Sequence, residues 1–561
     1  MMKLIRLKIN NFRGLKGDNN EIDFTDSNII FLIGQNNVGK STYLRAYEFF
    51  TNSGQKAVVE DFYNHSIEKP IIIEGWFVKE DGDEYDDELQ GKGKEKDPSW
   101  TNKWVGFDGL IKIKKEWKIF NSIFEKYTFS PEQNDWVLNG FGGMDTLFTK
   151  YAPTPITINA MEDQASLEEK VNKLIQDDFI KKVKENYPDD YNELIQRVKN
   201  FQSKITGSVS VENLNLELNE HFQKVFADLT LKIQASKDEN IKIEDAFKKN
   251  HSVIVEHSGN LRKETFLQNG HGVIRQALFN FLAFLKRDIK TNKKQYLILF
   301  EEPEVFLHPK IAFKLRESLY DLAENSPYQI LCSTHSPLMI DISKPHSSLI
   351  RLVKNGDETT FTFQVGEDIF GKDAEQKERV QMINRFNPHI CEAFYADKVL
   401  LVEGDTETIV YRDLLKRYYP SEEIFVLNTG SKNNIPFFQE ILTKFHIYHS
   451  IIHDSDTELL DNGNKNPAWS LNQKIWDKIE NANKEKAGLA RRYVHIKNFE
   501  DAHNIKLSSG KDKPLQAYKF VQSISKENGI PDCLKWLEDI IGKQEVIHDM
   551  NYLEANKIKK N

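Results

Sequence analysis

The sequence predicts an α/β protein in two parts: a phosphate-loop nucleotide-binding unit carrying a helical insert, then a smaller parallel-sheet unit. Three observations predict this. An apolar run at residues 28–33 leads directly into Gly34-Gln35-Asn36-Asn37-Val38-Gly39-Lys40-Ser41, and a helical stretch follows. Two later apolar runs end in polar groups, residues 295–300 before Glu301-Glu302 and residues 328–333 before Thr334-His335. Beyond residue 395, short apolar runs alternate with helical stretches and repeatedly end in acids, the pattern of a parallel α/β sheet.

Composition bounds the rest. A chain of 561 residues has room for roughly two to four domains. Hydrophobic residues at 39% and charged residues at 29% are ordinary for a globular chain and argue against global disorder. The net charge of −9 means that any surface for nucleic acid is local. Cys332, Cys391 and Cys533 lie far apart without metal spacing, which suits a reduced, cytoplasmic chain. The start of the chain has no signal-peptide pattern, and no apolar run approaches the roughly 20 residues that span a bilayer, so no membrane partner is expected.

In the first unit, residues 4–9 mostly alternate apolar with basic and read as a half-exposed edge strand. In the phosphate loop, Gly34 and Gly39 let backbone N–H groups close around phosphates. Lys40 would reach the β- and γ-phosphates of ATP, and the Ser41 hydroxyl would ligate Mg²⁺. Asn36, Asn37 and Thr42 count as loop contacts. Residues 71–78 form a strand, residues 79–97 a charged solvated loop, and residues 110–114 and 127–129 hairpin strands of a β-rich subdomain. From 163 to 226 the pattern turns helical. One stripe is Leu167, Val171, Leu174 and Ile175; the next is Tyr191, Leu194, Ile195, Val198 and Phe201, with Pro188 interrupting. These helices are too short for a sustained coiled coil. They suit a compact dimerisation or DNA-facing pair, and Lys181, Lys182 and Lys184 read as a solvated face. Residues 229–233 return to strand.

Gly270-His271-Gly272 opens an apolar helix at 277–285, and Gly270 and Gly272 make a second phosphate-reading turn. At the end of the next strand, Glu301 is assigned to the Mg²⁺-associated acid and Glu302 to the base that orients the attacking water. Leu307-His308-Pro309 starts a helix. His335, at a strand end, is placed to sense the γ-phosphate. Residues 349–353 read as the strand that closes this unit, and 354–387 as a charged connection.

The second unit gathers carboxylates. Glu403 ends one strand, Gly404 allows the turn, and Glu407 enters from the following helix. Residues 424–427 form another strand, with Lys432 in the loop beyond it. Asp454 and Asp456 end the strand at 451–453, and Glu500 and Asp501 follow residues 495–499. Carboxylates without histidine or cysteine partners suit Mg²⁺ or Mn²⁺, as one ion or two. Two ions would activate water for phosphodiester cleavage. Lys513 is the basic candidate beside the phosphate, and the tail at 557–561 reads as solvated.

The set of Lys8-Ile9-Asn10-Asn11-Phe12-Arg13-Gly14, the phosphate loop, Gly270-His271-Gly272, Leu299-Phe300-Glu301-Glu302-Pro303-Glu304 and Ser333-Thr334-His335-Ser336-Pro337 resembles the ABC-type ATPase domain of the OLD (overcoming lysogenisation defect) family. The carboxylate pattern resembles the Toprim domain that OLD-family nucleases share with topoisomerases and some primases. The resemblance implies domains at 1–160 and 229–372 (ATPase), 161–228 (insert), 373–395 (linker) and 396–561 (Toprim and tail). It implies metal ligation by Glu403, Glu407, Asp454 and Asp456, with Glu500 or Asp501 as a further ligand. It also implies a DNA endonuclease regulated by its ATPase, acting in defence against phage. A homodimer or larger assembly would form because Gly270-His271-Gly272 would close over a partner's ATP; some members add a helicase or a reverse-transcriptase partner. Glu301 stands where many ABC ATPases have aspartate, and the signature segment lacks the transporter serine. Two other readings remain: a topoisomerase- or primase-like enzyme, and an ATP-gated DNA clamp or signalling ATPase with an inactive Toprim domain.

Overall fold

The computed structural model describes residues 2–79, 102–170 apart from 144, 164, 167 and 168, then 186–206, 254–256, 263–265, 295–366 apart from 325, 357 and 358, and 378, 388–505, 513–525, 530–542 and 548–559. The chain divides into two compact units, Met1–Ala160 with Ile289–Asn561, and Met161–Asp288. In the second of these, a helix of 19 residues, Pro188–Thr206, and a short antiparallel pair, Ile254–Glu256 with Lys263–Thr265, are described. Pro188 begins that helix, where its missing N–H costs nothing. The stripe from Leu167 to Ile175, the lysines at 181, 182 and 184, the strand at 229–233, the Gly270-His271-Gly272 turn, the helix at 277–285 and the charged run past Lys79 lie outside the described residues.

The first unit opens with strands β1 (Met2–Asn10), β2 (Asn20–Asp23) and β3 (Ile29–Ile33), then helix α1 (Lys40–Thr51). Strands β4 (Ile71–Lys79), β5 (Leu110–Trp117), β6 (Glu125–Ser130) and β7 (Asp135–Leu138) follow, then α2 (Thr146–Tyr151) and β8 (Thr154–Ile158). Taking the helix Pro188–Thr206 as α3 and the short pair as β9 and β10, the chain resumes with β11 (Tyr296–Glu301), α4 (Pro309–Ala323), β12 (Tyr328–Ser333), β13 (Leu349–Lys354) and β14 (Thr360–Gln364).

Two sheets sandwich α1. The antiparallel sheet has the order β2-β1-β4-β5-β6-β7 and the mainly parallel sheet β14-β13-β3-β12-β11-β8. The period-2 burial of β1 and β5 puts Leu4, Leu7, Ile9, Ile111 and Ile113 inward, while β3 and β12 are buried throughout. Tyr43, Tyr47, Phe49 and Phe50 of α1 fill the space between.

Two strand expectations are corrected. β1 is not an edge strand, because β2 and β4 flank it; its alternation comes from one wet face, not from an edge. The strand β13 does not close the parallel sheet. β14 lies antiparallel outside it, inside the stretch read as connection, because a five-residue strand with threonines gives a weak apolar signal. The edge strand β8 also passed unread, since Thr154-Pro155 breaks its pattern.

A four-stranded parallel sheet follows, built from β15 (Lys398–Val402), β16 (Ile424–Asn428), β17 (Tyr448–Asp454) and β18 (Ala490–His495) in the order β16-β15-β17-β18. Its helices are α5 (Asp405–Tyr418), α6 (Ile435–Lys444), α7 (Pro467–Glu485), α8 (Phe499–Ala502), α9 (Lys513–Ser523), α10 (Asp532–Gly542) and α11 (Met550–Asn556). Leu400, Val402 and Ile452 pack with Leu414, Val521 and Leu537 on one face; α6 and α7 cover the other. Among the described residues no helix is long and apolar enough to cross a membrane.

Glutamine side chains stitch the two ATPase sheets, Gln364 of β14 to Asp23 of β2 and Gln329 of β12 to Leu4 of β1. Gln329, buried on β12, accepts from Leu4 N at 3.0 Å and donates to Leu4 O at 2.7 Å. It satisfies both polar atoms of Leu4 beside the register shift where β1 pairs with β4. Gln329→Leu would strand a buried donor and a buried acceptor. The expected loss is about 2–4 kcal/mol of stability, read as a lower urea midpoint.

Candidate nucleotide site and candidate metal centre

The phosphate loop sits at the carboxyl end of β3. Gly34 (φ 143) and Gly39 (φ 97) hold conformations that side chains rarely adopt, and a Cβ on Gly34 would meet Leu352 O at 2.4 Å. Lys40 Nζ donates to the carbonyls of Gly34 and Gln35, both at 2.7 Å, so the ammonium fills the loop itself. Gln35, Asn36, Asn37 and Ser41 are exposed, Thr42 is half-buried, and the first turn of α1 has no acid to repel an anion.

Acids and a histidine surround Lys40. Its Nζ lies 3.4 Å from His335 Nδ1, and His335 Nε2 lies 3.5 Å from Glu302 Oε1. Burial pushes the Lys40 ammonium down to about 8, against the opposing pull of Glu302 and Glu304. Burial and the Lys40 charge also lower His335. Glu302 sits at φ 44, its N–H held by Ser333 O at 2.8 Å; such backbone is costly for a residue with a side chain and concentrates at functional sites. Glu301 accepts from Ala160 N at 3.4 Å.

Glu304 received no role from sequence reasoning. It accepts from Thr334 Oγ1 at 2.7 Å and from His335 N at 3.1 Å, tying the ends of β11 and β12 together. Burial raises its pKa. Beside the phosphate loop, Leu15 contacts the Cβ position of Gly39 at 3.1 Å. The adjoining Arg13 and Gly14 line a cavity of about 690 Å³ with Val58, Phe62, Asn64 and His65.

In the second sheet, Glu403 directly follows β15 and Asp454 ends the neighbouring β17, with Val402 in register with Ile452. Glu403 Oε2 accepts from Asp454 N at 3.4 Å, and Glu407 Oε2 accepts from Gly404 N at 3.2 Å. Burial raises the pKa of Asp454 strongly, and Glu407, Glu403 and Asp456 add to it by like-charge repulsion. Burial, then Glu403 and Glu500, raise Glu407. Burial also raises Glu403, with Lys432 opposing. Asp454 Oδ1 is buried without a hydrogen-bond partner. Among the described residues no three acid, histidine or cysteine side chains are closed around one point; the carboxylates gather at the strand ends and repel.

Lys432 is the cation that sequence reasoning placed in a loop without a role. It is 3% exposed, and its Nζ donates to Asp454 O and to Asp456 Oδ2, each at 2.6 Å. The available signal was its place just after β16, at the carboxyl end of an open sheet. Asp456 takes φ 60. Lys513 pairs with Glu500 at 3.0 Å, and its charge reaches Glu403. Asp501 instead turns to Lys497, at 2.8 Å, and Asn498.

The family model described as "AAA ATPase domain" matches residues 2–340. A second, "Overcoming lysogenization defect protein-like, TOPRIM domain", matches residues 394–456. The chain is 25% identical over 481 residues to the Old nuclease of Escherichia phage P2, covering 81% of this chain and 77% of that protein. It is 24% identical over 560 residues to Endonuclease GajA of Bacillus cereus (strain HuB5-5), covering 83% and 78%. With the OLD nuclease of Thermus scotoductus (strain ATCC 700910 / SA-01) it shares 25% over 246 residues, covering 42% and 46%.

Removing the Lys432 ammonium would leave the carbonyl of Asp454 and the carboxylate of Asp456 without their buried cation. Lys432→Met is expected to cost about 2 kcal/mol, measured by chemical denaturation, because the Asp454 carbonyl and the half-buried Asp456 lose their charged donor.

Proposed function

Because the chain belongs to the AAA ATPase domain family and carries an OLD-like TOPRIM domain, we propose that it is a divalent-metal-dependent DNA endonuclease whose cutting is governed by ATP. The observation that carries the proposal is the cluster of Glu403, Glu407 and Asp454, each raised in pKa by desolvation and by a neighbouring carboxylate, with an orphaned oxygen on Asp454. A donor set of carboxylates alone fits Mg²⁺ or Mn²⁺. Glu403, Glu407, Asp454 and Asp456 would hold the ion, with Glu500 at the rim. Once bound, it would supply an activated water and charge stabilisation at the phosphate. Lys432 holds the Asp454 carbonyl and Asp456 in place. Lys513, half-exposed on Glu500, is the cation nearest an incoming phosphodiester. Asp501, drawn to Lys497, plays the smaller part.

At the other site, Lys40 would exchange the carbonyls of Gly34 and Gln35 for the β- and γ-phosphates, with Ser41 on Mg²⁺. Asn36, Asn37 and Thr42 line the loop. Glu301 would serve the ion, Glu302 the attacking water and His335 the γ-phosphate. The cavity lined by Arg13 and Gly14 would take the nucleoside. Gly270 and Gly272 would close over a partner protomer's nucleotide, which makes a homodimer the working assembly. A place in the cytoplasm, in defence against phage, with or without a helicase or reverse-transcriptase partner, follows from the resemblance.

Supercoiled and linear DNA incubated with Mg²⁺ or Mn²⁺ should be cut by the wild type, and chelation should stop the cutting. Asp454→Ala and Glu403→Ala should each lower the rate at least about a hundredfold, beyond what outer-sphere changes cost. Cutting that survives both substitutions, or none by the wild type under any metal and nucleotide condition, would count against the proposal. Lys40→Ala should abolish ATP hydrolysis in the same preparations and leave metal-dependent cutting insensitive to ATP.

A further inference from the structure

Asp397 stands one residue before β15, the strand that ends at Glu403. Its carboxylate faces the ATPase sheet. Gln35, in the phosphate loop, donates from Nε2 to Asp397 Oδ2 at 3.0 Å. Arg351, buried on β13, lies with Nη2 3.5 Å from Asp397 Oδ1. The same guanidinium donates to three backbone carbonyls: Phe394 at 3.2 Å, Ala396 at 3.0 Å and Phe445 at 3.2 Å. A planar fork with several donors fixes direction as well as distance. The chain entering β15 is therefore held on both sides of Asp397, by β13 and by the phosphate loop.

Two further contacts join the same place to the nucleotide site. Tyr395, half-buried with its hydroxyl out of solvent, lies with that hydroxyl beside Thr334 and Glu304, the pair that ties β11 to β12. Lys40 Nζ donates to the carbonyl of Gln35, the residue whose side chain holds Asp397. An arriving phosphate competes for that ammonium, so nucleotide occupancy bears directly on Gln35. From Asp397 onward the route is stiff. β15 is an interior strand paired to β16 and β17 over its whole length and buried from Val399 to Val402. A displacement at one end of such a strand reaches the other.

We infer that Asp397 is the positioning residue through which nucleotide at the phosphate loop sets the placement of Glu403 in the metal centre. This rests on the nuclease reading for its consequence, but the coupling itself can be read without cleavage.

The experiment is hydrogen exchange on the full chain, with and without a non-hydrolysable ATP analogue, in the wild type, Asp397→Ala and Gln35→Ala. Binding of a fluorescent ATP analogue is measured alongside. In the wild type, the analogue should change exchange in residues 396–404 by about fivefold or more, the lower range of allosteric couplings. In Asp397→Ala that change should vanish, while the analogue still binds and still protects the phosphate loop. Gln35→Ala severs the same link from an exposed position, and should lose the change as well even if Asp397→Ala folds poorly. In cleavage assays, Asp397→Ala should cut with metal alone and lose its response to nucleotide. An unchanged exchange response in both variants would overturn the inference, as would a wild type with no response at 396–404. A wild type that shows the exchange response but never cuts DNA would instead sink the nuclease reading and leave the coupling standing.

Discussion

Like charge held out of water is the constraint around which the second sheet is built. Glu407 is buried and Glu403 and Asp454 half-buried at the ends of parallel strands, and desolvation, with repulsion from neighbouring carboxylates, raises the pKa of each. Isolated carboxylates in such surroundings would be a defect. Here a single buried ammonium, Lys432, partly compensates, and it spends its hydrogen bonds on Asp456 and on the carbonyls of Asp454 and Ser455. The side-chain oxygen Asp454 Oδ1 is left over. The strand register explains why these groups cannot separate: β15 and β17 are direct neighbours, so residues that follow Val402 and Ile452 must share the same end of the sheet.

The phosphate loop solves the opposite problem, a buried cation held by backbone carbonyls. Lys40 is 4% exposed and rests on two carbonyls of its own loop. Glycine at 34 is required because Leu352 O lies where a side chain would begin. Glu302 and Glu304 supply negative charge from the next strand end, but Glu304 is committed to Thr334 and His335. Both sites thus sit at carboxyl ends of parallel strands, where backbone donors and side chains of several segments converge. Each has an acid in left-handed backbone, Glu302 in one and Asp456 in the other.

Much of this was legible in the sequence, and what was not has physical causes. Short-range pattern carries strands buried on both faces, such as β3, β12 and β15, and it carries the residue types at their ends. It identified Glu403, Glu407, Asp454 and Asp456 as one group because each directly follows, or lies within a few residues of, an apolar run. It could not show that Lys432 enters that group, because a lysine in a polar turn looks the same whether buried or exposed. Nor could it separate Glu500 from Asp501: only the fold turns one towards Lys513 and the other towards Lys497. β8 and β14 were lost because threonine, proline and short length blur the alternation on which strand reading depends.

Contacts between segments far apart in sequence were the least legible. Gln329 serves Leu4 across 325 positions, and Gln35 meets Asp397 across 362. Neither pair has any local signature, yet they do different work. The first satisfies buried backbone beside a register shift, so its effect falls on stability. The second joins an exposed loop residue to the root of a buried strand. An exposed polar contact adds little stability, so its value would be in what it conveys. Arg351 makes that transfer directional: by holding the carbonyls of Phe394, Ala396 and Phe445 together, it leaves motion along β15 as the outlet for a shift at Asp397. Asp397 thus stands between the phosphate loop on one side and the strand that leads to the carboxylates on the other.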